Sequence, residues 1–118
     1  MGIKLWNSFR HSFHGLKHAY RTELSFRIEL WAGLILVLVG YFAWPLRTYE
    51  FFFLVLSYIL ILAFELMNTA FERAFERLHP ERHELIGRSK DLASAAVLLA
   101  ILFAAIVALA ILSSRYFA

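Results

Sequence analysis

The 118-residue chain contains no cysteine, which excludes disulfides, thiolate metal sites and thiol nucleophiles. It has only two prolines and five glycines, and neither occurs between Tyr49 and Leu78, so that stretch can run as one helix ~45 Å long at ~1.5 Å per residue. Charge is absent from Leu92 to Leu112. A phosphate-cradling loop is absent too: Gly87-Arg88-Ser89-Lys90 has neither the length nor the glycines of one. The N-terminus lacks an uninterrupted apolar core ending in a small-residue cleavage site, so no cleavable signal is expected and the first span would direct insertion. There are no internal repeats or low-complexity segments, and one domain over residues 1–118 is expected.

What is present is apolar. At 61% hydrophobic the chain exceeds the roughly one-half typical of soluble domains. Ile28–Trp44 is apolar except for Glu29, and Tyr49–Phe64 except for Glu50. With Leu92–Leu112 these make three segments near the ~20 residues needed to cross a bilayer. The expected fold is an all-α membrane protein: a surface helix over about 4–25, then spans over about 28–46, 49–78 and 90–113. Lys4, Arg10, Lys17, Arg21 and Arg27 precede the first span, and Arg73, Arg77, Arg82, Arg88 and Lys90 lie between the second and third. Only Arg47 and Arg115 fall on the other side, so the N-terminus and the 73–91 loop are expected in the cytoplasm and the C-terminus outside. The net charge of +3 is thus topological, and nucleic-acid binding is not expected.

Leu5, Trp6, Phe9, Phe13, Leu16, Tyr20 and Leu24 recur at helical spacing opposite a basic, histidine-bearing face, the pattern of an amphipathic helix lying on the cytoplasmic membrane surface. Glu23 falls on the apolar stripe, about five turns after Leu5. Either the helix runs through it and the carboxylate is kept from water, or the chain has bent there and Glu23 is solvated. Gly33 and Gly40 share one face of the first span, where another helix can approach closely. Pro45 marks an external turn. Ala96, Ala100, Ala104 and Ala108 form a small-residue stripe favouring close helix packing, read as an oligomer contact modestly ahead of an intrachain one.

Within the second long helix Glu65, Asn68, Glu72 and Glu76 occupy roughly 80° of arc. Counted from Phe51, Glu65 lies ~21 Å along the helix, short of the inner edge of a ~30 Å core. Glu72 and Glu76 reach the headgroups or water. An acidic ridge beginning at lipid depth is costly and signals function. Eight of the nine acidic residues, Glu23, Glu29, Glu65, Glu72, Glu76, Glu81, Glu84 and Asp91, can gather at this end with Asn68, Lys90 and several arginines. Carboxylates without thiols suit Mg²⁺ held partly by substrate phosphates, and phosphoryl transfer needs little beyond metal, countercharge and a base. Glu65 is the candidate base for a lipid alcohol. The competing readings are solvated salt bridges for Glu76, Glu81 and Glu84, and, for Glu65, a proton or substrate site of a small transporter or a polar contact holding helices together. His14 and His18 stand one turn apart, but their basic surroundings favour a plain surface over a metal pair, and His83 is ambiguous in the same way.

The run Glu65-Leu-Met-Asn68-Thr-Ala-Phe-Glu72, with His83-Glu84-Leu-Ile-Gly87-Arg-Ser-Lys90-Asp91 and Ala93-Ser94-Ala-Ala, resembles the prokaryotic diacylglycerol kinase family. The resemblance also covers Gly15-Leu-Lys-His-Ala and Glu23-Leu-Ser-Phe-Arg27-Ile-Glu29. It implies ATP-dependent phosphorylation of a lipid hydroxyl with Mg²⁺ at the cytoplasmic face of the bacterial inner membrane, by a homotrimer whose active sites are shared between subunits. Carried over residue by residue, it makes Glu65 the general base and has Asn68 place the reacting groups. Glu23 and Glu72 would hold the metal on ATP. Lys90 would contact the phosphates, Glu76, Lys4 and His11 would be nucleotide-side contacts, and Glu29 and Asp91 would belong to the site or support it. Phe71 and Phe75 replace usual aliphatic residues, and Glu76 a usual aspartate. Relatives phosphorylate either diacylglycerol or undecaprenol; Glu29 and the His83-Glu84-Leu pattern look more like the diacylglycerol branch.

Overall fold

The computed structural model describes residues 1–78 and 84–117, with the backbone alone of Glu84. Glu81 and His83 therefore lie outside the described residues. Four helices follow one another: α1 (Gly2–Thr22), α2 (Leu24–Phe42), α3 (Thr48–Leu78) and α4 (Glu84–Tyr116). There is no strand among the described residues. α2, α3 and most of α4 are long and apolar enough to cross a membrane, as the all-α membrane fold requires. α2 begins and ends four residues before the span read from the sequence, and α4 extends beyond its span at both ends.

α1 ends because Glu23 leaves the helical region, at φ −112° and ψ 108°, and serves at once as its C-cap and as the N-cap of α2. The elbow is held from the far side by Arg27, whose Nη1 donates to the carbonyls of Tyr20 and Arg21 at 2.9 Å each. Those are among the carbonyls a helix end leaves without partners, and a cation there also opposes the negative end of the helix dipole. The apolar stripe of α1, from Leu5 through Phe13 to Tyr20, stays exposed, as do Lys4, His11, His14 and His18 on the opposite face.

α3 and α4 make the most extensive contact, with α2 laid against α3. Ala100 and Ala104 are buried in this contact and Ala96 and Ala108 half-buried, so the small-residue stripe serves packing within the chain. The ordering favoured from the sequence is thereby reversed: a small side chain lets α3 approach α4 before any second copy is involved. Gly33 has the close neighbour its spacing suggested. A Cβ there would lie 2.5 Å from Cε1 of Tyr58, whose hydroxyl donates to the Leu30 carbonyl at 2.6 Å. The core of Val39, Ala43, Leu54, Val107 and Ile111 sits toward the α2–α3 turn.

That end is fastened by polar groups as well. Glu50, 5% exposed, accepts the Arg47 backbone N–H at 2.9 Å, a reach-back that satisfies one orphan donor of α3. It also accepts a charged hydrogen bond from Arg115. Arg115 Nε donates to the Ala43 carbonyl at 3.1 Å, and the Tyr116 hydroxyl to that of Phe42 at 2.6 Å. The end of α4 thus caps the end of α2 and pins the start of α3. Removing one partner of a buried ion pair leaves an uncompensated charge, so Arg115→Ala is expected to cost about 3 kcal/mol. Arg115→Ala combined with Glu50→Gln is expected to recover part of that loss. Thermal unfolding in detergent micelles measures both, and an unchanged midpoint for the single variant would refute the fastening.

Candidate active site

α3 buries Glu50, Leu54, Ser57, Glu65 and Asn68, whose spacings of three, four and eight residues keep them on one face. At its outer end this face is met by Arg115, and Ser57 satisfies itself by donating to the Leu54 carbonyl at 2.8 Å. Toward the other end the compensation stops. Glu65 is 5% and Asn68 8% exposed, and no cation among the described residues pairs with Glu65. Asn68 Nδ2 donates to Glu72 Oε1 at 3.4 Å, while Asn68 Oδ1 is buried without a donor.

The neighbour of Glu65 from α2 is Glu29, whose carboxyl group adjoins it. One oxygen of Glu29, Oε2, is also buried without a partner. Glu72 stands two turns along α3 at half exposure, Glu76 is exposed, and the charges of both Glu72 and Glu23 bear on Glu65. Two carboxyls side by side, an orphaned amide oxygen and a graded rise in exposure describe a polar face of α3 that runs from buried to water-exposed side chains. Native proteins rarely leave such groups unsatisfied without a functional reason.

Glu23 resolves the two alternatives left by the sequence in an intermediate way. The chain does bend there, yet the side chain remains only 18% exposed. Arg73, from α3, explains this: its Nε donates to Glu23 Oε1 at 3.0 Å and its Nη2 forms the ion pair with the same oxygen. Arg73 Nη1 lies 4.0 Å from Glu76. Nothing in the sequence linked residues fifty positions apart, because Arg73 lies about 60° beyond the edge of the acidic ridge.

The structure therefore brings together Glu23, Glu29, Glu65, Asn68 and Glu72, with Glu76 at the margin. It does not bring in Lys4 or His11, which are exposed on α1, nor Lys90 and Asp91 at the start of α4, which make no hydrogen bond or ion pair with the cluster. Glu84 contributes the first turn of α4, and His83 lies outside the described residues. Among the described residues, no three His, Asp or Glu side chains converge on a point that could hold an ion unaided.

Residues 10–112 match the profile of the family described as prokaryotic diacylglycerol kinase. The chain belongs to that family. It is 39% identical over 103 residues to a diacylglycerol kinase of Haemophilus influenzae, covering 87% of this chain and 86% of that one. It is 38% identical over 97 residues to a diacylglycerol kinase of Escherichia coli, covering 81% and 78%. A Helicobacter pylori diacylglycerol kinase is 35% identical over 101 residues, covering 85% and 77%. This family member is a multi-pass membrane enzyme of the lipid kinase class.

The Glu23–Arg73 pair joins a half-buried carboxylate to an arginine whose side chain is 60% exposed. Solvent screens such a pair, so Glu23→Gln is expected to lower the thermal midpoint only slightly. A much larger loss in thermal unfolding would make Glu23 chiefly a structural residue of the elbow.

Proposed function

We propose that this chain transfers the γ-phosphoryl group of ATP to the free hydroxyl of 1,2-diacylglycerol, giving phosphatidic acid and ADP, at the cytoplasmic face of the bacterial inner membrane. The observation that carries this is the buried Glu65–Asn68 pair, joined to the water-exposed end of α3 by Glu72, in a chain of this family. The family supplies the reaction class, and the grading from buried to exposed polar groups along α3 supports a meeting of lipid acceptor and soluble donor at this end.

Glu65 takes the hydroxyl proton as the acceptor oxygen bonds to the γ-phosphorus and the bond to the ADP oxygen breaks. Asn68, with its unpartnered Oδ1, orients the hydroxyl or its glycerol neighbour beside that base. Glu29 adjoins Glu65 and holds its carboxyl in place. The residues fit Mg²⁺ bound with the nucleotide: this ion keeps to one or two carboxylates plus phosphate and water oxygens, and Glu23 and Glu72 are hard oxygen donors at the water side. When bound, it neutralises charge on the phosphates. For the lipid tail, an apolar groove of about 640 Å³ lies between α2 and α3, lined among others by Trp31, Gly33, Val37 and Tyr58.

Lys90 and Asp91 make no hydrogen bond or ion pair with the acidic cluster within one chain, and Lys4 and His11 are exposed on α1. On this reading the phosphate-facing cations come from a neighbouring copy, in a homotrimer with shared sites. Undecaprenol is the alternative acceptor on the same residues.

Purified protein in mixed micelles with labelled ATP and Mg²⁺ is expected to label 1,2-dioleoylglycerol and to leave undecaprenol nearly unlabelled. The reverse preference would reassign the acceptor, and transfer to neither lipid, beside an active reference kinase, would remove the kinase reading. Glu65→Gln is expected to lower kcat by about 10²–10⁴, the range for losing a general base, while a non-hydrolysable Mg–ATP analogue still binds. Near-normal turnover in that variant would exclude Glu65 as the base.

A further inference from the structure

Arg73 is the residue of the acidic cluster that the reaction just described leaves without work. It is the cation paired with Glu23, and it stands one residue after Glu72. Its fork is used unevenly. Nε and Nη2 are both spent on a single oxygen of Glu23. Nη1 has only a 4.0 Å approach to Glu76, a distance at which no hydrogen bond forms, and the side chain as a whole is 60% exposed. One edge of the guanidinium is thus anchored and the other is presented to water above the carboxylates proposed to meet the metal.

We infer that Arg73 is a nucleotide-binding residue: its anchored edge fixes Glu23, and its free edge donates to a phosphate of the bound nucleotide. This rests on the kinase reading above. Guanidinium suits both tasks because it is planar, permanently charged and able to serve two oxyanions in different directions. An exposed ion pair on its own stabilises a fold little. What it does here is hold a phosphate-seeking group in place beside the acidic residues, where little further side-chain entropy is lost on binding. It also places one positive charge among Glu23, Glu72 and Glu76, which would otherwise repel a polyphosphate.

The sign of its influence should therefore differ for metal and for nucleotide. Removing a cation from beside Glu23 and Glu72 makes the site more attractive to a bare divalent ion and less attractive to an anionic Mg–nucleotide. A residue that merely shaped the elbow would weaken both together.

Full-length wild type, Arg73→Gln and Arg73→Lys are compared in detergent micelles, with α-helicity and elution volume checking the fold. Calorimetry measures a non-hydrolysable Mg–ATP analogue, and electron paramagnetic resonance measures Mn²⁺ alone. Arg73→Gln is expected to weaken the analogue about tenfold, the scale of one charge-assisted hydrogen bond, while binding Mn²⁺ as tightly as wild type or more so. Arg73→Lys should fall between, having the charge without the fork. Equal analogue affinity in wild type and Arg73→Gln overturns the inference, as does a parallel loss of Mn²⁺ and analogue in a folded variant, or a variant that fails to fold while Arg73→Lys binds as wild type. Failure of wild type itself to bind the analogue would overturn the kinase reading instead.

Discussion

A polar group on a membrane helix must find its partner inside the protein, because neither lipid nor an apolar core supplies hydrogen bonds. α3 buries four such side chains on one face, Glu50, Ser57, Glu65 and Asn68, and the two halves of that face are treated oppositely. Near the turn the demand is met in full: Arg47 and Arg115 serve Glu50, and Ser57 bonds to its own helix. At the other end Glu65 has another carboxyl for its neighbour, and Asn68 keeps an unpaired oxygen. One helix thus carries its fastening and its unspent polarity about four turns apart.

The separation has a mechanical consequence. The apolar core and the Arg115 cap both lie toward the turn, so α2, α3 and α4 are registered there. Glu65 inherits its position from that register at a distance, along a helix without proline or glycine. The opposite end is tied by side chains at the α1–α2 elbow: Arg27 closes α1, and Arg73 crosses from α3 to Glu23. Packing sets where Glu65 stands, and ion pairing sets where the water-side carboxylates stand.

Hydrophobic runs and charge asymmetry are properties of single segments, which is why three spans and an amphipathic first helix were legible in the sequence. The acidic ridge was legible for the same reason, since helical spacing places Glu65, Asn68, Glu72 and Glu76 on one arc. Contacts between segments were not. Arg73 meets Glu23, Tyr58 fills the space over Gly33, and Arg115 meets Glu50 only because of the order in which the helices pack. The alanine stripe was visible, but its partner was not, because a small face packs equally well against its own chain or another. Glu23 was ambiguous because a helical wheel assumes continuity, and the elbow falls on that residue.

Charge also bears on whether one chain is sufficient. Glu23, Glu29, Glu65, Glu72 and Glu76 stand at this end of α3, and Arg73 is a cation paired among them. An acidic site repels a polyphosphate unless metal and further cations offset it, and the offset must act within about a Debye length, ~8 Å at physiological salt. Lys90 and Lys4 are the cations that family resemblance directs to the phosphates, yet in one chain they stand apart from the carboxylates. On the proposed reading a neighbouring copy brings them across, and the divided arrangement has a use. A chain alone then keeps its acids unmatched and binds nucleotide poorly, whereas assembly in the membrane supplies the missing charge where the lipid acceptor is already present.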